Sequence, residues 1–323
     1  MKFNSWLKLA TMAAALAFGP QIASAQTYPN RPIRIIVPAT TGGAIDLIAR
    51  VLAEKLSVSL GQQVVVDNKP GASNNLGTDL VAKSPPDGYT LVIVASSHAT
   101  NKHMFKTMPY DPVKDFEPVA YTHVVPLLLT VHPSVPAKTV AELAAWIKAN
   151  PDKAVYASSG PGSSLHMAAE LFMQMTGTKM QHVPYKGSSA AHPDLLAGRT
   201  LIIFDTMPAI RSHVKAGSLR GIAVTTAKRS SAMPELPTVA ETLPGYDAAT
   251  WGGILAPAGT PKDIVTKLNT AINAALKMDD VRAKLEGAGI EIQSGTPEQF
   301  ASVIKGEVDK WGRVVKEAGI APE

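Results

Sequence analysis

The sequence predicts an α/β protein of two lobes, each a mostly parallel sheet flanked by helices. Three observations predict it. Short β-branched runs alternate with longer helical patterns, which is how βαβ units read in a chain. Around Glu117 to Val131 the alternation stops, and two extended runs follow each other with no helix between them, a natural crossing into a second unit. The 323 residues contain no cysteine, and a chain of this length buries a large core without covalent staples and usually divides in two.

The elements follow in order. Ile33 to Val37 is a strand, Leu47 to Leu60 a helix, and Val64 to Asp67 a strand. Asn74 to Lys83 is a helix with Leu76, Leu80 and Val81 on one face; Pro85-Pro86-Asp87-Gly88 is a turn; Tyr89 to Val94 is the next strand. The extended runs are Pro118 to His123 and Val125 to Val131. Thr139 then caps a helix, with Glu142 at capping-box spacing. Strands at Ala154 to Tyr156, Met180 to Val183, Leu201 to Phe204 and Leu219 to Thr225 alternate with helices at Ser163 to Met175, Ser188 to Ala197 and Pro208 to Lys215. Pro234 to Gly245 reads as the return path, Ala248 to Ala256 as extended, and Pro261 to Leu276 and Pro297 to Glu317 as helices. The first lobe then takes 26–124 and 249–323, and the second takes 125–248.

Residues 1–25 read as a removable export signal. Lys2 and Lys8 supply the positive start, Leu9 to Phe18 the short apolar run, and Ala23-Ser24-Ala25 the small-residue cleavage site before Gln26. The run is too short to span a bilayer. The expected address is the periplasm. The formal charge of +5 falls when Lys2 and Lys8 leave, and the remaining basic residues are scattered. With aromatics at only 6%, no basic, stacking groove for nucleic acid is expected.

In open parallel sheets ligands sit beyond the carboxyl ends of the strands, at helix starts. That rule selects Pro38 to Asp46, Ser96 to Thr100, Ser158 to His166, Lys186 to Ser189, and Asp205 to Met207 as loops facing one cleft. Two of them share a design. Pro38-Ala39-Thr40-Thr41-Gly42-Gly43 opens a helix near Ala44, and Ser158-Ser159-Gly160-Pro161-Gly162-Ser163-Ser164 opens a helix at Leu165. Each directs unpaired backbone N–H groups at one spot, which suits an anion. Asp46 would repel a carboxylate, so it reads better as the residue that holds the first loop. Charge-assisted hydrogen bonds contribute about 1.5–3 kcal/mol each, so four to six exceed the roughly 8 kcal/mol of micromolar affinity before ordering costs.

Other chemistries fit less well. Ser163 and His166 share one helix face, and with Asp205 they could suggest a hydrolase; Ser97 with His98 is a second such pairing. No Gly-x-Ser-x-Gly elbow accompanies either. Gly160-Pro161-Gly162 lacks the third glycine of a dinucleotide fingerprint, and no Walker-type run is present. The eight histidines show no metal-ligand spacing, so neither cofactor nor metal is expected.

Several pieces together resemble the Bug, or tripartite tricarboxylate transporter, substrate-binding proteins. They are Ile36-Val37-Pro38 with Gly42-Gly43 and Asp46; Asn68-Lys69-Pro70-Gly71-Ala72; Pro86-Asp87-Gly88-Tyr89-Thr90-Leu91; Gly160-Pro161-Gly162-Ser163-Ser164-Leu165-His166; Val183-Pro184-Tyr185-Lys186-Gly187; Trp251-Gly252-Gly253; and Ala256-Pro257-Ala258-Gly259-Thr260-Pro261. The resemblance implies a type II periplasmic binding protein with two chain crossovers, not an enzyme, that closes on a small organic acid, often a dicarboxylate. It implies a monomer that serves membrane transporter subunits or a sensor. Carried over, the carboxylate contacts are Thr40, Thr41, Gly42, Gly43 and Asp46 on one lobe and Ser159, Gly160, Gly162, Ser163, Ser164 and His166 on the other. Ser97, Lys186, Gly187 and Asp205 complete the expected site. One departure is Ala39, where the family usually carries an aromatic residue; Thr40 and Thr41 also replace commoner Pro and Gly types. The missing ring widens the pocket mouth and adds hydroxyl donors.

Overall fold

The computed structural model describes residues 28–322. The export signal and its cleavage before Gln26 lie outside the described residues.

The first lobe is centred on β1 (Ile33–Val37), which lies parallel between β2 (Val64–Asn68) and β3 (Thr90–Ala95). Its side chains alternate between two cores, as the period of a strand requires. Ile33, Ile35 and Val37 pack with α1 (Ala44–Leu60) and α8 (Lys262–Leu276). Ile36, with Val92 and Val94 of β3, joins the opposite cluster, which includes Val81 of α2 (Asn75–Ala82) and Ala99 and Met104 of α3 (Ser97–Met104). Cover on both faces explains why β1 and β3 are mostly apolar, whereas β2, at the end of the strand order, is buried only at Val64.

β4 (Phe116–Val131) carries the chain between lobes. The two expected extended runs are one sixteen-residue strand, because Val124 pairs with Trp251 rather than breaking the ladder. The first part of β4 pairs antiparallel with β9 (Ala249–Pro257), and the last five residues pair with β7 (Ile202–Thr206). Register shifts between Pro118 and Ala120 and between Tyr121 and His123 accompany the crossing; such irregularities bend and twist a strand.

The second lobe places β5 (Val155–Ser158) between β6 (Gln181–Pro184) and β7, both parallel, while β8 (Arg220–Val224) joins β4 antiparallel. The helices are α4 (Val140–Ala149), α5 (Ser164–Thr176), α6 (Ser188–Leu196) and α7 (Met207–Lys215). The strand path reads β2-β1-β3-β9-β4-β7-β5-β6. The Thr139 hydroxyl accepts from Glu142 N–H as its spacing implied, but the Glu142 carboxylate reaches the N–H of Lys138 instead of closing a box.

After β9 the chain adds α8, α9 (Asp279–Gly287), β10 (Glu291–Ile292) and α10 (Pro297–Glu317). A reciprocal Thr296–Gln299 capping box and Pro297 start α10. Its buried face, Phe300, Ile304, Val308, Trp311, Val314 and Val315, packs against β4, α3 and α5, so one helix touches both lobes.

Candidate functional site

The first loop follows β1. Gly42 takes a φ of +88°, a left-handed conformation that glycine adopts without Cβ strain. Asp46, in the first turn of α1, is buried beneath the loop. Its Oδ2 accepts from the Gly42 N–H at 2.9 Å and from Arg50 Nε at 3.0 Å, and its Oδ1 accepts from Asn68 Nδ2 at 2.9 Å. Asn68 Nδ2 also donates to the carbonyl of Ala39 at 3.0 Å. Burial opposes the charge on Asp46, but the Arg50, Gly42 and Asn68 hydrogen bonds outweigh it and hold its carboxyl at about 2. The carboxylate is therefore fully engaged inside the loop. Thr40, Thr41, Gly43 and Ala44 are exposed, and their N–H groups find no acceptor among the described residues.

The second loop follows β5 and is held in the same manner by different groups. Ser158 Oγ accepts from Gly160 N–H at 3.0 Å and lies 2.7 Å from His182 Nε2. Ser163 is the N-cap of α5: its hydroxyl donates to Gly160 O at 2.7 Å and accepts from His166 N–H at 3.3 Å. The N–H of Gly162 donates to His166 Nδ1 at 3.1 Å. The N–H groups of Ser159, Ser164 and Leu165 find no acceptor among the described residues. His166 is buried, so its imidazole lies within the loop's support rather than on its surface.

α3 joins the two loops. Asn74 Nδ2 donates to Ser97 Oγ at 2.9 Å, leaving the Ser97 hydroxyl proton free to donate elsewhere. Pro38 of the first loop lines the same recess as Asn74, Ser97 and Asn101. One turn along α3, Thr100 Oγ1 donates to the carbonyl of Gly162 at 3.2 Å, and Met104 lies so close that a Cβ on Gly162 would sit 2.8 Å from its Cγ. Gly162 is thus required twice, by its φ of +71° and by this approach. Both loops therefore flank one short helix.

The remaining expected residues are placed as follows. Lys186 is exposed and has no ion pair among the described residues, and Gly187, at φ +99°, is the N-cap of α6. Tyr185 O lies 3.5 Å from where a Cβ of Gly160 would be, so this loop borders the second one. Asp205 is wholly buried, accepting from Thr206 N–H at 2.7 Å, with His192 Nε2 at 2.6 Å from its other oxygen. Its carboxylate, like that of Asp46, is engaged within the protein. Neither suggested serine–histidine pair forms a nucleophile–base contact. Ser163 Oγ bonds backbone only, Ser97 Oγ accepts from Asn74, and His98 is buried with Nε2 on the carbonyl of Pro112. Among the described residues no cluster of three or more His, Cys, Asp or Glu side chains could hold a metal, and no helix is long and apolar enough to cross a membrane.

Sequence reasoning missed Asn74, Glu170 and His182, and it gave no individual role to Asn68, which it met only in a motif, or to Thr100, which it met only as the end of the Ser96 to Thr100 loop. Glu170 stands four residues after His166 on one helix, a spacing that a search for supporting carboxylates would have flagged. For the others no local pattern exists, because their partners lie 22 to 62 residues away in sequence.

Two α/β lobes joined by crossing strands, with amide-lined helix starts on either side, define a two-lobed periplasmic solute-binding protein. The comparisons agree. The model of the Tripartite tricarboxylate transporter family receptor matches residues 48–320, and the chain belongs to that family. It is 40% identical over 299 residues to Protein BugT of Bordetella pertussis, covering 92% of each chain. Among solved structures it is similar to Rpa4515 of R. palustris, determined with adipate: 43% identity, TM-score 0.80, 92% of this chain and 100% of that one. MatC (Rpa3494) of Rhodopseudomonas palustris, with bound malate, matches at 30% identity and TM-score 0.76, over 89% of this chain and 100% of that one. The protein is a solute-binding receptor and not an enzyme.

Proposed function

We propose that this receptor closes on a small organic acid with two carboxylates, one held at each loop, and presents it to a membrane transporter. The observation that carries the reading is the pairing of two loops, each with free N–H groups at a helix start, on either side of α3. The adipate and malate bound by the two structural relatives support a dicarboxylate as the class.

In this reading the backbone of Thr40–Ala44 takes one carboxylate, and Ser159, Ser164 and Leu165 take the other. The Ser97 hydroxyl donates from the side, and Lys186 adds positive charge at the rim. Gly42, Gly160, Gly162, Ser163, Asp46, His166 and Asp205 shape and hold these surfaces, and Gly187 starts the neighbouring helix. The lobes are 26–124 with 249–323 and 125–248, and closure turns about the β4–β9 pair near Val124 and Trp251. The protein acts as a monomer in the periplasm after cleavage before Gln26.

Calorimetric titration and thermal-shift measurements with adipate, malate, succinate and aromatic dicarboxylates test the reading. Stabilisation and a Kd in the micromolar range or below are expected. A folded, ligand-free sample that none of these acids, nor a monocarboxylate series, stabilises refutes it. Uptake of the bound acid should disappear when the membrane transporter is deleted; unchanged uptake with loss of a transcriptional response would assign the receptor to sensing.

A further inference from the structure

Beneath the second loop lies a stack of three rings, with Tyr156 and His166 buried and His182 half-buried. Tyr156 of β5 faces His182 of β6 at 4.8 Å between centroids, and His182 faces His166 of α5 at 4.3 Å with the planes 6° apart. Each imidazole supports a different glycine of the loop. His182 contacts Ser158 Oγ, which accepts the Gly160 N–H. His166 accepts the Gly162 N–H directly on Nδ1. An Nδ1 that accepts carries no proton, so the neutral ring has its proton on Nε2, 3.4 Å from Glu170 Oε1. The same Glu170 oxygen accepts from the Tyr156 hydroxyl at 2.7 Å.

This arrangement has one proton-sensitive joint. A second proton on His166 can go only to Nδ1, and it removes the lone pair that holds Gly162. The groups facing His166 are Glu170 on its own helix, His182 on β6 and Tyr156 on β5; from α3 the loop receives Met104 and Thr100, which do not titrate. Glu170 favours a positive His166, whereas two positive rings stacked in contact repel. Burial, with the neighbouring His166 adding to it and Glu170 opposing, pushes His182 down to about 4. Burial also works against the Glu170 charge, but the His166 and Tyr156 contacts outweigh it and hold that carboxyl below its ordinary range.

We propose that His166 is a positioning residue for the second carboxylate: its unprotonated Nδ1 locks Gly162 and shapes the loop, and protonation of that nitrogen releases the loop and weakens ligand binding. The inference rests on the carboxylate reading of the cleft. The ligand would be held at neutral pH and loosened on acidification by a group that never touches it.

Two measurements on the intact mature protein test this. The first needs no ligand. In ¹H–¹⁵N spectra from pH 8 to pH 5.5, the Gly162 amide should shift with the same midpoint as the His166 ring resonances; an amide indifferent to the His166 titration overturns the proposal. The second is calorimetry with adipate and malate at both pH values on three proteins. Wild type should lose about tenfold in affinity or more on acidification. In His166→Asn, Oδ1 replaces Nδ1 as acceptor but cannot be protonated in this range, so affinity at pH 8 should stay within about threefold of wild type while the acid loss shrinks to the ligand's own ionisation. His166→Phe keeps a stacked ring without an acceptor and should bind about tenfold more weakly already at pH 8. Glu170→Gln should move the wild-type midpoint to lower pH. Equal acid sensitivity in wild type and His166→Asn overturns the proposal and leaves the receptor reading standing; no binding of either acid at any pH, with the Gly162 amide following His166, removes the ligand half and keeps the lock.

Discussion

Replacing Asp46 by Asn should destabilise the protein and loosen the first loop at once. The carboxylate is 3% exposed and accepts three hydrogen bonds, from Gly42 N–H, Arg50 and Asn68. An amide of the same shape offers one carbonyl acceptor and turns its NH2 toward donors. With that carbonyl in the Oδ2 position, Gly42 and Arg50 keep an acceptor that has lost its charge, while the NH2 meets the Asn68 amide and reverses that bond; charge-assisted bonds contribute about 1.5–3 kcal/mol each, and Arg50, whose side chain is 51% exposed, contributes least. The expected loss is about 2–4 kcal/mol. A separate route gives a similar figure. A carboxyl held at about 2 against an ordinary 3.8 is worth roughly 2.5 kcal/mol of folding free energy. The sign follows from proton uptake. Between these two values the unfolded chain binds more protons than the folded one, so the contribution is complete above about 4 and disappears as pH falls toward 2. Urea unfolding followed by circular dichroism at pH 7 and pH 3 checks both parts. The difference between wild type and D46N should be full at pH 7 and visibly smaller at pH 3. Titration with adipate should show weaker binding, since the Gly42 N–H keeps only an uncharged acceptor and the Asn68 brace is lost. A D46N protein within about 0.5 kcal/mol of wild type at pH 7 would refute the claim that this carboxylate holds the loop.

Three further outcomes are expected. Ser163→Ala removes the N-cap of α5 and should cost about 0.5–2 kcal/mol in unfolding free energy, with weaker acid binding and no hydrolytic turnover to lose in an esterase assay. Thr100→Val deletes the hydroxyl that donates to Gly162 O across the lobes; adipate affinity should fall about two- to tenfold by calorimetry, while the melting temperature without ligand changes little. Gly252→Ala would place a Cβ 2.0 Å from Val94 O and 2.5 Å from His123 Cε1 where β9 passes between β3 and β4, so soluble expression at 37 °C should collapse, in contrast to an alanine at Gly306 of α10, which meets open space in ordinary helical backbone.

Much of the fold was legible because local pattern and tertiary role coincide. β1, α1, α5 and α10 were placed to within three residues, since each carries a strong apolar period and a clear start. α3 falls partly within the loop expected at Ser96 to Thr100, and its Ser97-His98-Ala99-Thr100-Asn101-Lys102-His103-Met104 run shows no amphipathic period. It is helical because His98, Thr100 and Asn101 are buried with hydrogen-bond partners supplied by Pro112, Gly162, Ser73 and Asn75, which no local window contains. The same limit applies to the site. Gly42-Gly43 and Gly160 to Ser163 announce themselves as loops before helices, whereas the groups that hold them rigid, Asn68, His182 and Glu170, are chosen by sheet register and helix phase.

The strand β9 is supplied by residues 249–257 yet fits between β3 and β4, which are complete by residue 131. The first sheet therefore stays open, with two ladder edges exposed, until three quarters of the polypeptide exists. A nascent chain cannot finish its amino-terminal unit early. Compaction of that unit waits for β9, so its open ladder edges stay accessible to chaperones and proteases through most of the chain's synthesis.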